Sequence, residues 1–161
     1  MDTHNRIALR ESEEVPSRDC AMVTALFSAT LATFLFCKRR STLPDRIELR
    51  DLALLGLATQ KLSRLATRSR VMIPFRAPFT EKPQPAGSGE VEETPRGTGL
   101  RKTIGELLTC PFCIGTWISL ALLIGFSWQA RVTRFIAGIF AVGTISDFAQ
   151  QGYCRLKEGN E

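Results

Sequence analysis

A chain of 161 residues with 21 Lys and Arg against 16 Asp and Glu is too short for two independent soluble cores and amounts to one domain at most. A formal charge of +5 would suit nucleic acid, but three runs with at most one charge (20–37, 107–130 and 135–154) alternate with stretches rich in Arg and Lys. That segregation is a membrane pattern, so the basic residues face lipid or solvent and nucleic acid is not expected as a partner; five cysteines in apolar surroundings likewise exclude a secreted disulfide scaffold.

Residues 1–19 carry three basic and five acidic side chains without apolar periodicity and are expected to be disordered, with no role for His4. The next 18 residues, 20–37, are uncharged and end abruptly at Lys38-Arg39-Arg40. A cleavable signal would want a basic leader and a small-residue cleavage site, so this run reads as a retained transmembrane helix.

Thr42 and Asp45 stand in capping-box spacing with Pro44 between them, predicting a helix over 42–67. Its apolar positions Leu54, Leu55, Ala58, Leu62 and Leu65 recur at helical spacing, with Arg46, Arg50, Lys61, Arg64 and Arg68 on the other side. Only nine residues separate Asp51 from Lys61, too few to span. The helix is expected to lie in the membrane interface, to pack across the other helices, or to dip in as a re-entrant segment.

Residues 71–79 are apolar but broken by Pro74 and Pro78, which predicts an extended stretch on the membrane surface. Residues 80–99 read as a Gly/Pro/Glu linker whose glutamates either pair with the basic helix or remain solvated. A short helix over 100–109 leads to Cys110-Pro111-Phe112-Cys113, and 107–130 has 24 residues without a charge, enough to cross the hydrocarbon core. Pro111 suits the first turn of that span. Trp117 and Trp128 point towards the interfacial zones, though they lie too close together to mark both. After the tight 129–134 connection, 135–154 forms the last span, with small residues Ala137, Gly138, Ala141, Gly143 and Ala149 suited to helix approach, and 155–161 is a tail.

Cys110 and Cys113 begin a helix on one side of it, where the dipole and free N–H groups favour thiolates. They suit a disulfide or half of a zinc site; the plain alternative is two small apolar residues packing a helix mouth. With three spans, Cys37 and Cys154 would join them at one membrane face as a four-thiol site. Asp147, the one formal charge in its span, is expected to pair with Arg101 or Lys102 near the interface or to act in function. The chain has no HExxH, P-loop or GxSxG motif, and no Ser/His/Asp set is credible with one histidine, so hydrolase and ATPase activity are not expected. Of the 21 Lys and Arg, 14 fall between Lys38 and Cys110, which puts the long loop and C-terminus inside and the N-terminus outside.

The stretches KLSRLATRSRVMIPFRAPF and GEVEETPRGTGLRKTIGELLTCPFCIGTWIS, and the Arg131-x-x-Arg134 connection leading to SDFAQ, resemble the bacterial membrane-protein family called domain of unknown function 1360, over roughly Asp51 to Tyr153. The resemblance singles out Arg64, Pro74, Arg76, Gly97, Gly99, Glu106, Cys110, Pro111, Cys113, Trp117, Arg134 and Asp147. Arg68-Ser69 departs from the family's pattern, where a basic residue is followed by Asp. The family implies no activity.

The expected protein is all-α and integral to the cell membrane, with three transmembrane helices and one amphipathic helix over 42–67. Its expected role is a non-catalytic scaffold or accessory subunit, with the bilayer, anionic lipid head groups and a second copy or other membrane protein as partners, and no cofactor. The alternative is a thiol redox or zinc-binding membrane protein using Cys110 and Cys113.

Overall fold

The computed structural model describes residues 17–38, 47–87 and 89–158. The expectations for residues 1–16, for the capping box at Thr42 and Asp45 and for 159–161 fall outside them. The described residues form helix α1 (Ser17–Lys38), helix α2 (Leu49–Arg68), a 3-10 turn (Arg70–Met72), helix α3 (Ile73–Arg76), strands β1 (Thr80–Pro85) and β2 (Val91–Pro95), helix α4 (Leu100–Thr109) and helix α5 (Pro111–Glu158). The described residues are thus all-α apart from one two-stranded ribbon.

Helix α5 holds one non-helical residue, Gln129 at φ −145° and ψ 76°, and there it folds back on itself. A Cβ placed on Gly125 would lie 3.2 Å from Thr133 Oγ1, whereas residues eight apart in a straight helix are separated by about 12 Å. Two limbs result, 111–128 and 130–158.

Helix α2 lies lengthwise between these limbs. Gly115 approaches the side chains of Ser63 and Thr59, and Phe126 packs into a core with Leu55, Ala58 and Ala137, so α2 runs antiparallel to the first limb. Arg134 meets Asp51, Thr144 Oγ1 donates to the Leu57 carbonyl at 2.8 Å, and Asp147 meets Lys61, so it runs parallel to the second. Ala58 and Ala137 are fully buried, letting the two backbones approach. Gly143 serves the same contact: a Cβ there would stand 3.2 Å from Lys61 Cε. Several of the small residues suited to helix approach, Ala137, Ala141 and Gly143, therefore pack within the chain.

Helix α1 runs alongside the first limb and parallel to it. Phe27 meets Trp117 edge-on at 5.3 Å between ring centroids, and Lys38 Nζ donates to the Ser127 carbonyl at 3.0 Å. The chain thus passes along the bundle four times, up, down, up and down. The start of α1, the end of α2, residues 70–110 and the end of α5 gather at one end, the cap end; Lys38, Leu49 and Gln129 mark the other, the turn end.

This arrangement corrects several expectations. Helix α2 starts at Leu49, after an extended Glu48, and does not lie flat at a surface. It provides the extra pass that a three-span map omits, so the start of α1, residues 70–110 and the end of α5 share one end of the bundle. Residues 71–79 coil in place of extending, because Ser69 Oγ accepts from Val71 N–H and Pro74 sits in the first turn of α3, where no N–H is required. Helix α5 continues to Glu158, through most of the expected tail.

The supposed linker is an antiparallel ribbon pairing Thr80 with Pro95 and Pro85 with Val91, with an irregularity between Glu81 and Gln84. Its prolines fit because a two-stranded ribbon leaves one side of each strand unpaired. The turn needs its glycines, since Gly87 and Gly89 take φ of 82° and 78°. Helix α4 packs under the ribbon: at Gly105 a Cβ would come within 2.5 Å of the Phe79 carbonyl oxygen and 3.1 Å of Pro95 Cβ. Gly105→Ala is therefore expected to cost on the order of 1–3 kcal/mol, whereas Gly56→Ala, where nothing lies within 4 Å, is neutral or mildly stabilising; thermal melts of the detergent-solubilised protein compare the two.

Candidate functional site

The charges of α2 form a seam of ion pairs running from the turn end to the cap end. Asp51 is 3% exposed and accepts from Arg134 Nε at 2.9 Å and Nη2 at 2.8 Å, a two-pronged pair, while the Arg134 guanidinium carbon lies 5.2 Å from the Phe126 ring centroid. Nearly three turns on, Lys61 Nζ donates to Asp147 at 2.6 Å. Asp147 was expected to find Arg101 or Lys102; Arg101 instead donates twice to the Pro78 carbonyl. Beyond them, Arg64 donates to Glu90 Oε1 at 3.0 and 2.6 Å, and Arg68 to Glu92 at 2.8 Å. The ribbon's glutamates thus latch onto the basic face of α2, although these two half-exposed pairs contribute little individually.

The innermost latch differs. Arg76 is 2% exposed, donates to both carboxylate oxygens of Glu93 and also to the carbonyls of Ala66 and Ser69, while Thr80 Oγ1 donates to Glu93 at 2.7 Å. It ties the end of α2, the 3-10 turn, α3 and both strands into one unit. Among the described residues, no buried side-chain polar atom lacks a partner. Burial pushes the Glu93 carboxyl up, but hydrogen bonds from Arg76 and Thr80 and the Arg76 charge together outweigh it and hold the carboxyl below the usual glutamate range.

Cys110 closes α4, Pro111 opens α5, and Cys110 Sγ accepts from Cys113 N–H at 3.2 Å, so the motif turns the chain between two helices as expected. The four-thiol arrangement does not form. Cys37 lies at the turn end in a groove shared with Lys38 and Trp128, whereas Cys110, Cys113 and Cys154 lie towards the cap end. The reason is that α1 runs parallel to the first limb of α5. Among the described residues, no group of three His, Cys, Asp or Glu side chains gathers for a metal. Trp117 packs on Phe27, and Glu106 is half-buried with no side-chain partner among the described residues. Gly97 and Gly99 take φ of 87° and 59° where the ribbon enters α4. Sequence reasoning missed Asp51, Lys61, Glu90, Glu92 and Glu93 as specific partners; the only available signal was the excess of acids in 80–99 opposite a basic helix.

A cleft of about 560 Å³ opens at the cap end beside the seam, lined by Lys61, Arg64, Arg68, Asp147 and Arg155 among others. A second cavity of about 650 Å³, between α2 and the first limb, shares Arg64, Arg68 and Glu90 with it and is otherwise lined largely by hydroxyls and glycines.

These features define a class: an apolar helical bundle in which the charges of α2 are clamped to its neighbours and to a small polar cap. The chain belongs to the family described as Protein of unknown function (DUF1360), whose sequence model matches residues 54–153. It is similar to Sporulation protein YjcA of Bacillus subtilis (strain 168), 41% identical over 69 residues, which cover 41% of this chain and 58% of that protein. The match thus spans less than two thirds of that curated relative. No solved structure matches.

With its folded pKa depressed, Glu93 contributes stability that is complete above the ordinary glutamate range and is lost as pH falls through the folded value. Glu93→Gln, which strands a buried guanidinium, is expected to cost on the order of 3–5 kcal/mol at neutral pH and to flatten the acid limb of the pH–melting profile; melts across pH 3 to 7 check both.

Proposed function

We propose that the protein is an integral protein of the bacterial cell membrane acting as a non-catalytic scaffold or accessory subunit. The observation that carries this reading is a belt of exposed apolar side chains around the bundle. Two helices, Ala21–Lys38 and Pro111–Lys157, are long and apolar enough to cross a bilayer, and the second is doubled back at Gln129. On α1 no described side chain is buried, and Met22, Leu26, Leu35 and Phe36 face outward; on the second limb Phe135, Ile139, Val142, Ile145 and Phe148 do so at helical spacing. Continuous apolar surface of this extent needs lipid or a partner.

In this reading α1, the two limbs and the outer side of α2, where Leu49 and Leu52 are exposed, meet acyl chains, while Asp51 and Lys61 of α2 are neutralised between the limbs by Arg134 and Asp147. That is how ionisable groups persist inside a membrane. The cap end, which carries the greater share of the basic residues, faces the cytoplasm together with the start of α1 and the end of α5. The sporulation name of the similar Bacillus protein supports a part in a developmental process.

The scaffold reading expects the protein to stay in the membrane fraction after carbonate washing and to need detergent for extraction. It also expects Cys110→Ser combined with Cys113→Ser to leave expression, melting midpoint and cellular phenotype within error of wild type. Loss of the phenotype with an unchanged melt would transfer the function to the thiols.

A further inference from the structure

We propose that the cap-end cleft between α2 and the second limb of α5 is a binding site for a phosphate-bearing anion. Four cations line it, Lys61, Arg64, Arg68 and Arg155, against two carboxylates, Glu90 and Asp147. The lining itself carries a surplus of two positive charges, one of which Glu92 offsets from just outside the cleft. The pairs already described also leave donors unused. Arg64 directs Nε and Nη2 to one oxygen of Glu90, Arg68 offers only Nη1 to Glu92, itself 64% exposed on its side chain, and Arg155 stands on the same wall. Gln150 and Gln151 add amide groups to the same wall.

A site with more cations than carboxylates on its wall and with guanidinium donors still unused fits an anion with several oxygens in a compact tetrahedron better than it fits a cation or a neutral ligand. Its place bears on the source. The cleft lies where the apolar belt ends and the polar cap begins, the level at which a bilayer presents its phosphates, and basic pockets between helices at that level suit anionic head groups. The carboxylates have a second effect: Asp147 and Glu90 hold Lys61 and Arg64 in place, so the cations are positioned before a ligand arrives. The lipid source rests on the membrane reading above; the anion site itself does not.

The test uses the full chain in neutral detergent, titrated by native mass spectrometry with short-chain phosphatidylglycerol, with short-chain phosphatidylcholine and with inorganic phosphate. Phosphatidylcholine carries the same phosphate beside a compensating cation. Expected is at least tenfold tighter binding of phosphatidylglycerol than of phosphatidylcholine, and a loss of about tenfold or more, roughly 1.4 kcal/mol, in the Arg68→Gln, Arg155→Gln double variant. Both arginines lie near or at the surface, so that variant is expected to fold, and its melting midpoint confirms it. Lys157→Gln, outside the cleft, is expected to change nothing. Phosphatidylglycerol binding that inorganic phosphate does not displace assigns the site to a lipid head group, and displacement at millimolar phosphate assigns it to a soluble phosphate. Equal binding by wild type and the double variant, or no binding of either anion, overturns the proposal. Failure of the membrane reading is seen separately, as a protein that stays monodisperse without detergent, in which case the phosphate arm is run in plain buffer.

Discussion

Helix α2 can lie inside an apolar bundle only because each charge it carries there meets an opposite one. Taking a carboxylate or an ammonium out of water costs several kcal/mol unless it is paired and hydrogen-bonded. Asp51 and Lys61 sit about 15 Å apart along the helix, and Arg134 and Asp147 on the second limb of α5 are spaced to meet both. Two pairs at that separation fix the register and direction of α2 against the limb. Sliding α2 by one turn would break both at once. With α2 fixed, the reversal at Gln129 follows, because each limb packs its small and aromatic residues, Ala137, Ala141 and Phe126 among them, against or beside that helix.

The polar cap extends the same logic past the end of the bundle. Arg64, Arg68 and Arg76 present three guanidinium groups to three glutamates of the ribbon, and only the last pair is fully enclosed. The enclosed pair is structural, gripping two carbonyls of the preceding chain as well as the carboxylate. The outer two leave donors facing the cleft. A gradient from the sealed pair on α3 to the open pairs on α2 is what turns a folding device into a surface able to receive an anion.

Much of the helical layout was legible in the sequence, since uncharged runs of 18 and 24 residues, the Pro111 start and the amphipathic period of α2 are local signals. The family was legible too, from the residues around the Cys-Pro-Phe-Cys turn. What could not be read was long-range. Nine uncharged residues between Asp51 and Lys61 are too few for a lone helix to span, and only the partners on α5, more than 80 positions away, allow α2 to run the length of the bundle. The ribbon was hidden for a different reason: prolines and glycines that read as linker are tolerated where each strand has a single neighbour, and Arg76 with Glu93 supplies the fixing that strand propensity does not. The four-cysteine site followed correctly from three spans, and it fell with the omission of the fourth pass.

That fourth pass is tested most directly by a distance between the native cysteines Cys37 and Cys154, spin-labelled in a chain whose other cysteines are replaced by serine and measured by pulsed dipolar spectroscopy in detergent. The 20 residues of α2 separate the two ends of the bundle by about 30 Å, so a distance distribution centred near or above that value is expected. A distribution centred below about 15 Å would put both cysteines at one level, remove α2 from the bundle's length and contradict the architecture.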